Sequence, residues 1–250
     1  VLEIELAKKL REIIPCAEMS SFGNAGTDTI SFAIRLARAY TGRPKIAKFE
    51  GSYQGWADSV VMSSAPDIEK VGPPDRPNTV VESAGVLPEV IANTIVLPYN
   101  NLDAVTARVE EEKNHLAAII VEPMIHSSNL MPRPGFLEGL RQLCDAYGII
   151  LIFDEIVTGF RHALGGAQQV LKVMPDIAVF GKAMANGFII ASISGKQELM
   201  ETLVPKGPAL VSGTFNGNPA SAAASLKTIE VLGRPGFYKR LYQLGDMLRS

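Results

Sequence analysis

Charged residues follow three of the apolar runs in the sequence. Lys182 comes after "DIAVFG", and Glu122 comes after "LAAIIV". Asp154 and Glu155 come after "IILIF". In parallel α/β sheets the carboxyl ends of the strands meet at one edge, and an amine with carboxylates there could form a Schiff base and move protons. The alternative is a solvated ion-pair network, in which Lys182 simply reaches water from the end of its strand.

A second candidate for chemistry is the small-residue turn at residues 25–27. Ala25, Gly26 and Thr27 precede a helical pattern, so backbone N–H groups and a hydroxyl would lie at a helix N-terminus, which suits a phosphate. The turn matches neither the G-x-G-x-x-G fingerprint nor a P-loop. The simpler interpretation is an ordinary helix N-cap formed by Thr27.

The elements that position these residues alternate along the chain. Short apolar runs and longer helical patterns predict βαβ units and a mostly parallel sheet, covered by helices on both faces. The predicted strands are 46–49, 94–97, 116–122, 148–155, 176–180 and 189–194. The predicted helices are 28–41, 101–113, 135–147 and 219–232, with an amphipathic helix over residues 1–14. Residues 56–88 are rich in Pro, Ser, Gly and Asp without periodicity, which indicates a functional loop or a mobile segment.

Composition excludes several classes of protein. The 250 residues are 47% hydrophobic and 20% charged, enough for one large α/β domain or two smaller ones. The net charge of −2, without a basic cluster, argues against a nucleic-acid-binding surface. The most apolar window, 177–194, contains Lys182 and two glycines, so no membrane span is predicted. Cys16 and Cys144 lie far apart and fit a reducing, cytoplasmic setting.

Together these features match one cofactor, pyridoxal 5′-phosphate (PLP). Its phosphate needs the helix N-terminus, and its pyridine nitrogen needs a carboxylate such as Asp154 to stay protonated. Its aldehyde needs a lysine such as Lys182 for a Schiff base. The combination therefore predicts a PLP site, although each part alone has an ordinary structural explanation.

Four stretches of the sequence resemble the class III PLP-dependent aminotransferases. They are "FGNAGTDTISFAIRLARAYTGRPKIAKFEGSYQGW", "IILIFDEIVTGFR", "GGAQ" with "PDIAVFGKAMANG", and "SGTFNGNP", and they are most similar to the glutamate-1-semialdehyde 2,1-aminomutase branch. The resemblance implies the large domain of a fold-type I enzyme over residues 1–233, with a mixed, mostly parallel sheet in three αβα layers. Residues 234–250 would begin a smaller C-terminal domain. The chain is expected to be a fragment of a longer protein.

The resemblance implies roles for four residues around the cofactor ring. Lys182 matches the lysine that forms the Schiff base and shuttles protons. Asp154 matches the partner of the pyridine nitrogen. Ile156 matches the residue that packs on one ring face, and Tyr53 matches the aromatic residue on the other. Taken alone, Tyr53 is more simply a core tyrosine.

The same resemblance implies how the phosphate is held. Gly26 and Thr27 match the phosphate turn, with Ala25 where the family usually has serine. Thr214 matches a residue that reaches the phosphate of the neighbouring subunit, which implies a homodimer with shared active sites. Glu122 matches an acid near the site, although a structural role is equally compatible with its pattern.

The sequence departs from the family pattern in three places near the expected site. One is "NGFII" at residues 186–190, which lacks the proline that the family usually has near the lysine, and this loss should loosen the backbone there. Gln54 stands where the family typically has histidine, and it can form hydrogen bonds but cannot titrate near neutrality. The loop after Glu122 lacks a Gly-Asn pair, and the choice among its substitutes stays open (Ser127, Ser128 or Asn129). The three histidines lack metal-ligand spacing; two are expected at the surface, and the third is left open (His115 and His162, then His126).

The leading hypothesis is therefore amino-group transfer on a small amino or keto acid. The aminomutase branch is favoured because residues 56–88 fall where that branch has a gating loop. One alternative is a class III ω-aminotransferase acting on another amine, amino acid or amino sugar. A non-catalytic PLP-fold binding protein is disfavoured because Lys182 and Asp154 are both retained, and a nicotinamide dehydrogenase is disfavoured by the missing glycine fingerprint.

Overall fold

The computed structural model describes residues 1–249, and its elements alternate as the sequence predicts. The strands are β1 Met19–Gly23, β2 Lys45–Phe49, β3 Thr94–Leu97, β4 Leu116–Val121, β5 Ile150–Asp154, β6 Ile177–Phe180 and β7 Ala191–Gly195. The helices are α1 Leu2–Ile13, α2 Gly26–Thr41, α3 Pro88–Ala92, α4 Leu102–Glu112, α5 Phe136–Tyr147, α6 Ala167–Leu171, α7 Gln197–Met200, α8 Pro219–Leu232 and α9 Phe237–Arg249. A short 3₁₀ helix covers Lys182–Met184.

The strands of residues 1–249 form one seven-stranded mixed sheet in the order β1-β7-β6-β5-β4-β2-β3. The neighbours from β6 to β3 pair in parallel, whereas β7 runs antiparallel to both β6 and β1. Every residue of β4 and β5 is buried, as expected for strands covered on both faces. The predicted α/β fold is confirmed.

Helices cover both faces of the sheet and give it two apolar cores. One core joins α1, α4, α5 and α8 to the sheet and contains Leu10, Phe49 and Phe153. The other joins α2 and α7 to the opposite face and contains Ile30 and Ile152. The arrangement is the predicted three-layer αβα sandwich.

The sequence indicated only the end of strand β1, at the "FG" of residues 22–23, and β1 is not among the six predicted strands. Ser20 and Ser21 interrupt its apolar pattern, so the segment shows neither an apolar run nor alternation. The strand is specified instead by its partner: Met19–Gly23 pairs antiparallel with β7, and the hydroxyls of Ser20 and Ser194 are hydrogen-bonded at 2.8 Å. The six predicted strands agree with the structure to within two residues at each end.

The segment predicted to lack regular structure contains neither a helix nor a strand between residues 56 and 87. Its two limbs are nevertheless joined, because Met62 and Val81 form an antiparallel bridge. The Ser63 hydroxyl also donates to Asn78 O at 3.1 Å and accepts from Val80 N at 3.0 Å. The segment therefore folds back on itself beside the sheet.

The last helix differs from those before it. No residue of α9 is buried among the described residues, and its Leu241 and Leu248 are 42% and 89% exposed. The domain boundary after residue 233 stays a prediction. None of the helices in residues 1–249 is long and apolar enough to cross a membrane.

Candidate active site

A cavity of about 300 Å³ lies at the carboxyl edge of the sheet. It lies where β1, β2, β4, β5 and β6 end. The structure brings all but one of the predicted site residues to its walls: Ala25, Gly26, Thr27, Tyr53, Gln54, Glu122, Asp154, Ile156 and Lys182. The exception is Thr214, which is exposed on the loop before α8 and does not line the cavity.

Lys182 follows the end of β6 and opens the 3₁₀ helix. Its φ of +40° lies in the left-handed region, which is unfavourable for a residue with a side chain, and backbone strain of this kind is enriched at active sites and ligand-binding turns. The residue is exposed, and its ammonium has no hydrogen-bond or ion-pair partner within residues 1–249. The amine is therefore open to solvent in this structure, on the wall of the cavity that Asp154 also lines.

Asp154 is the last residue of β5 and is only 4% exposed. Its Oδ1 accepts a hydrogen bond from Ile156 N at 3.0 Å, and its Oδ2 accepts none from the described part of the chain. Burial, reinforced by the charge of Glu122, raises the pKa of Asp154 to about 8; the Ile156 N–H and the Lys182 ammonium oppose this rise. A cation placed against Oδ2 would restore the ionised form.

Glu122 follows β4 and is 2% exposed. Its Oε1 accepts from Tyr53 N at 3.1 Å, and its Oε2 is hydrogen-bonded to Nδ1 of His126. His126, which the sequence left open, therefore lines the cavity together with Glu122. Ser127 turns away and donates to Gly51 O at 3.0 Å.

Neither Ser127, Ser128 nor Asn129 lines the cavity. The sequence left open which of these three replaces the family's Gly-Asn pair. The structure places His126 at this part of the wall instead.

The turn at residues 25–27 begins α2 and presents free backbone donors. The N–H groups of Gly26 and Thr27 have no acceptor within residues 1–249, as expected for the first turn of a helix. Ala25 is the N-cap, and the Asp28 carboxylate accepts from Asn24 N at 3.1 Å and Ala25 N at 3.0 Å. The alternative in which Thr27 caps the helix is wrong, because Thr27 lies inside the first turn.

Three uncharged side chains complete the predicted walls. Tyr53 is 50% exposed, so it is not a core tyrosine. Gln54 is 1% exposed, and both its amide nitrogen and its amide oxygen lack a hydrogen-bond partner in the described structure. Ile156 packs against Gly26, where a Cβ would lie 2.5 Å from Ile156 Cδ1. This close packing brings the end of β5 against the start of α2.

Six further residues line the cavity: Asn24, Gly55, Val157, Gly181, Phe188 and Ile190. Of these the sequence pointed only to Phe188 and Ile190, through the altered "NGFII" stretch. Asn24 Nδ2 donates to Asn216 Oδ1 at 3.0 Å, which ties the turn to the "GTFNGNP" loop. Gly55 has a φ of +97°, and a Cβ there would lie 2.5 Å from Thr27 Oγ1. The glycine after "SYQ" was the available signal, since this close approach requires one.

Comparisons with known proteins agree with this geometry. The family model of the class-III aminotransferases matches residues 2–250. Glutamate-1-semialdehyde 2,1-aminomutase 2 of Brevibacillus brevis is 42% identical over 247 residues, which are 98% of this chain and 56% of the relative.

The solved structures that are similar to this chain include transaminases. An omega-transaminase from Sphaerobacter thermophilus is 38% identical with a TM-score of 0.93, covering 99% of this chain and 57% of the other. A transaminase solved with PLP bound is 32% identical with a TM-score of 0.91, again covering 99% and 57%. This chain thus spans little more than half the length of the relatives it matches. It belongs to the class-III aminotransferase family of PLP-dependent enzymes.

Proposed function

We propose that the protein catalyses PLP-dependent amino-group transfer on a small amino or keto acid, with Lys182 and Asp154 as its catalytic residues. The observation that carries the proposal is their convergence with the α2 N-terminus on one cavity. The cavity combines an unpartnered amine, a buried carboxyl with a free oxygen, and two free N–H groups.

The residues around the cavity fit PLP. The free N–H groups of Gly26 and Thr27 suit its phosphate, and Asp154 suits a protonated ring nitrogen. Tyr53 and Ile156 offer apolar surfaces for a flat ring, and Gln54 offers an amide without a partner. When bound, PLP supplies an electron sink that stabilises negative charge at the substrate carbon.

In this proposal Lys182 Nζ would take a proton from the amine-bearing carbon of the substrate and deliver it to C4′ of the cofactor, as amino-group transfer requires. The absence of a partner within residues 1–249 leaves the amine free to change position between these two steps. Asp154 stays ionised beside a cation, because such a partner offsets the burial that otherwise raises its pKa to about 8. Glu122 and His126 hold the Tyr53 backbone and close one wall.

We assign Thr214 to the phosphate site of a second subunit in a homodimer. Support comes from its position: Thr214 is exposed and does not line the cavity of its own chain. The adjacent Phe215 is 70% exposed. The Asn24–Asn216 hydrogen bond places this loop beside the phosphate turn. The cytoplasmic location inferred from the cysteines stays a prediction.

The finer assignment is glutamate-1-semialdehyde 2,1-aminomutase activity. It is supported by the name of the 42% identical relative from Brevibacillus brevis and by the long segment of residues 56–87, which follows Gln54 and Gly55 of the cavity wall along the chain. An aminomutase needs a covering segment because it must retain an intermediate between two half-reactions. The second candidate is ω-transaminase activity, favoured by the structural match to the Sphaerobacter thermophilus enzyme.

The first experiment tests the cofactor and its lysine. The purified protein is expected to take up PLP with an absorbance band near the visible edge, and Lys182→Ala should lose that band. Lys8→Ala is the matched control, since Lys8 is an exposed lysine on α1. If the unaltered protein binds no PLP, the proposed function is wrong.

The second experiment separates the two activities. Glutamate-1-semialdehyde is supplied with and without an added keto acid. Turnover without the keto acid indicates the aminomutase, whereas strict dependence on it indicates the transaminase. If neither condition gives turnover while other amines are converted, the finer assignment fails and the family-level function stands.

A further inference from the structure

Lys48 is a lysine in the interior of the sheet. It lies on β2, between β3 and β4, and its exposed fraction is 0%. No carboxylate lies within ion-pair distance of its ammonium in residues 1–249. Lysine is among the residues least often fully buried, so an unpaired one inside a sheet needs an explanation.

Backbone carbonyls take the place of the missing carboxylate. Lys48 Nζ donates to Ser52 O at 2.8 Å, to Val60 O at 3.1 Å and to Met62 O. The Ser64 hydroxyl lies at 3.4 Å. An ammonium has three protons, so the three carbonyls satisfy it. All of them belong to the segment that leaves β2, and Lys48 therefore holds the two ends of residues 52–62 together.

One of these bonds reaches the candidate active site directly. The carbonyl of the Ser52–Tyr53 peptide accepts from Lys48 Nζ at 2.8 Å, and the N–H of the same peptide donates to Glu122 Oε1 at 3.1 Å. The peptide is thus clamped between a buried ammonium and a buried carboxylate. Hydrogen bonds to charged groups are stronger than neutral ones, and two opposed bonds fix the plane of the peptide.

The residues after this peptide have few other restraints. Gln54 is buried, but its amide makes no hydrogen bond within the described residues. The Tyr53 side chain is half exposed at the cavity. Neither side chain forms a hydrogen bond within residues 1–249, so the backbone bonds of Ser52 O and Tyr53 N are the polar restraints nearest to both side chains.

We infer that Lys48 is a positioning residue of the active site, acting through the Ser52–Tyr53 peptide to present Tyr53 and Gln54 to the cavity. The inference deepens the proposed function and rests on it, because the two side chains are assigned there to the cofactor. Lys48 itself does not line the cavity.

The charges around Lys48 agree with this role. Burial lowers its pKa to about 8, while the carboxylates of Glu82, Glu122 and Asp154 oppose that shift. Glu122 and Asp154 both line the cavity. The buried cation therefore also offsets part of the negative charge behind the site.

Amide hydrogen exchange on the cofactor-free protein tests the clamp without relying on catalysis. The Tyr53 amide of the unaltered protein should be protected as well as the amides of β2 and β4. In Lys48→Met it should exchange at least about tenfold faster, with the strands unchanged. A Tyr53 amide that exchanges rapidly in the unaltered protein overturns the inference, whether or not the variant folds.

PLP binding by the same variants tests the consequence for the site. Lys48→Met should raise the dissociation constant of PLP by about tenfold or more and weaken the visible circular dichroism of the bound cofactor. Lys48→Arg retains the cation and should restore part of both signals. The matched control is Lys45→Met on the same strand, which removes a partly buried ion pair with Glu112 at 2.8 Å away from the cavity and should change neither.

These results separate the two proposals. If the unaltered protein binds no PLP, the proposed function fails, and the exchange result still decides whether the clamp exists. If PLP binds to Lys48→Met with unchanged affinity and circular dichroism, the positioning role is wrong and the proposed function stands.

Discussion

Asp154 and Glu155 are consecutive buried carboxyls whose surroundings differ sharply. Asp154 accepts one hydrogen bond, from Ile156 N, and lines the cavity. Glu155 has an exposed fraction of 0% and accepts four hydrogen bonds, from Thr158 Oγ1, Ala167 N, Gln168 N and Gln168 Nε2. Successive side chains of a strand point to opposite sides, so one carboxyl meets the cavity and the other meets the start of α6.

The difference shows that two similarly buried carboxyl groups can have different roles, one in binding a ligand and the other in stabilising the fold. The oxygens of Glu155 are occupied, so its carboxylate joins β5 to α6 and has no capacity left for a ligand. Asp154 keeps a free oxygen, and burial with the charge of Glu122 raises its pKa to about 8. A buried carboxylate that lacks hydrogen bonds binds a proton or a cation more tightly than an exposed one does.

The largest effect that separates the pair should be catalytic. Asp154→Asn removes the charge that holds a proton on a ring nitrogen, and we expect turnover to fall about 10³-fold. Glu155→Gln is the control, since Glu155 does not line the cavity, and it should cost less than about tenfold. Steady-state kinetics on both variants checks this. Equal losses would show that the two carboxyls do not differ in function.

For folding stability the order should be reversed, and substitution of Glu155 should cost more than substitution of Asp154. Glu155→Ala leaves the buried N–H groups of Ala167 and Gln168 without an acceptor, and the free energy of unfolding should fall by about 3 kcal/mol. Asp154→Ala frees only the Ile156 N–H and should cost less. Urea unfolding monitored by circular dichroism measures both. A Glu155→Ala variant that unfolds at the same urea concentration as the unaltered protein would contradict the structural role.

The sequence revealed the cavity-lining groups of this edge better than the buried groups that support them. Asp154 and Lys182 could be predicted because apolar runs mark where β5 and β6 end, and strand ends of a parallel sheet converge. The supports of Lys48 could not, since its acceptors lie in residues 52–62, which show no periodicity. Strand β1 was missed because its partner β7, rather than its own residues, specifies it. The local sequence pattern predicts where a residue lies along a strand or helix, whereas its hydrogen-bond partners depend on the tertiary fold.

The pH dependence of stability tests the proton affinity of Asp154. Its pKa rises from an ordinary 3.8 to about 8, so the folded, cofactor-free protein keeps a proton that the unfolded chain releases. The stability from this group is complete below about pH 4 and is lost as the pH rises through about 8. Between these limits the free energy of unfolding should fall by up to about 1.4 kcal/mol per pH unit.

Asp154→Asn isolates this contribution. The difference in unfolding free energy between the unaltered protein and the variant is expected to decrease steadily from pH 5 to pH 7.5. Bound PLP should flatten the curve, because a cation at Oδ2 favours the ionised form. A difference that is constant with pH would show that the Asp154 carboxyl is already ionised in the cofactor-free protein.

The smallest expected effect concerns two glycines: Gly26, which lies on the Asp154 side of β5, and Gly166, which lies on the Glu155 side. A Cβ at Gly26 would lie 2.5 Å from Ile156 Cδ1, whereas a Cβ at Gly166 would lie 2.4 Å from Glu155 Oε2. In Gly26→Ala the end of the Ile156 side chain has to rotate within the cavity, so PLP affinity should fall about tenfold while stability changes little. In Gly166→Ala the φ of +80° and the hydrogen-bonded carboxylate both resist the change, so stability should fall and PLP affinity should stay within about twofold.

Thermal unfolding of the cofactor-free variants and PLP titration of the same samples give both quantities. If Gly26→Ala lowered stability as much as Gly166→Ala does, the cavity side of β5 would be packed as tightly as the α6 side. The difference between the ligand-binding role of Asp154 and the structural role of Glu155 would then not extend to the glycines that pack beside them.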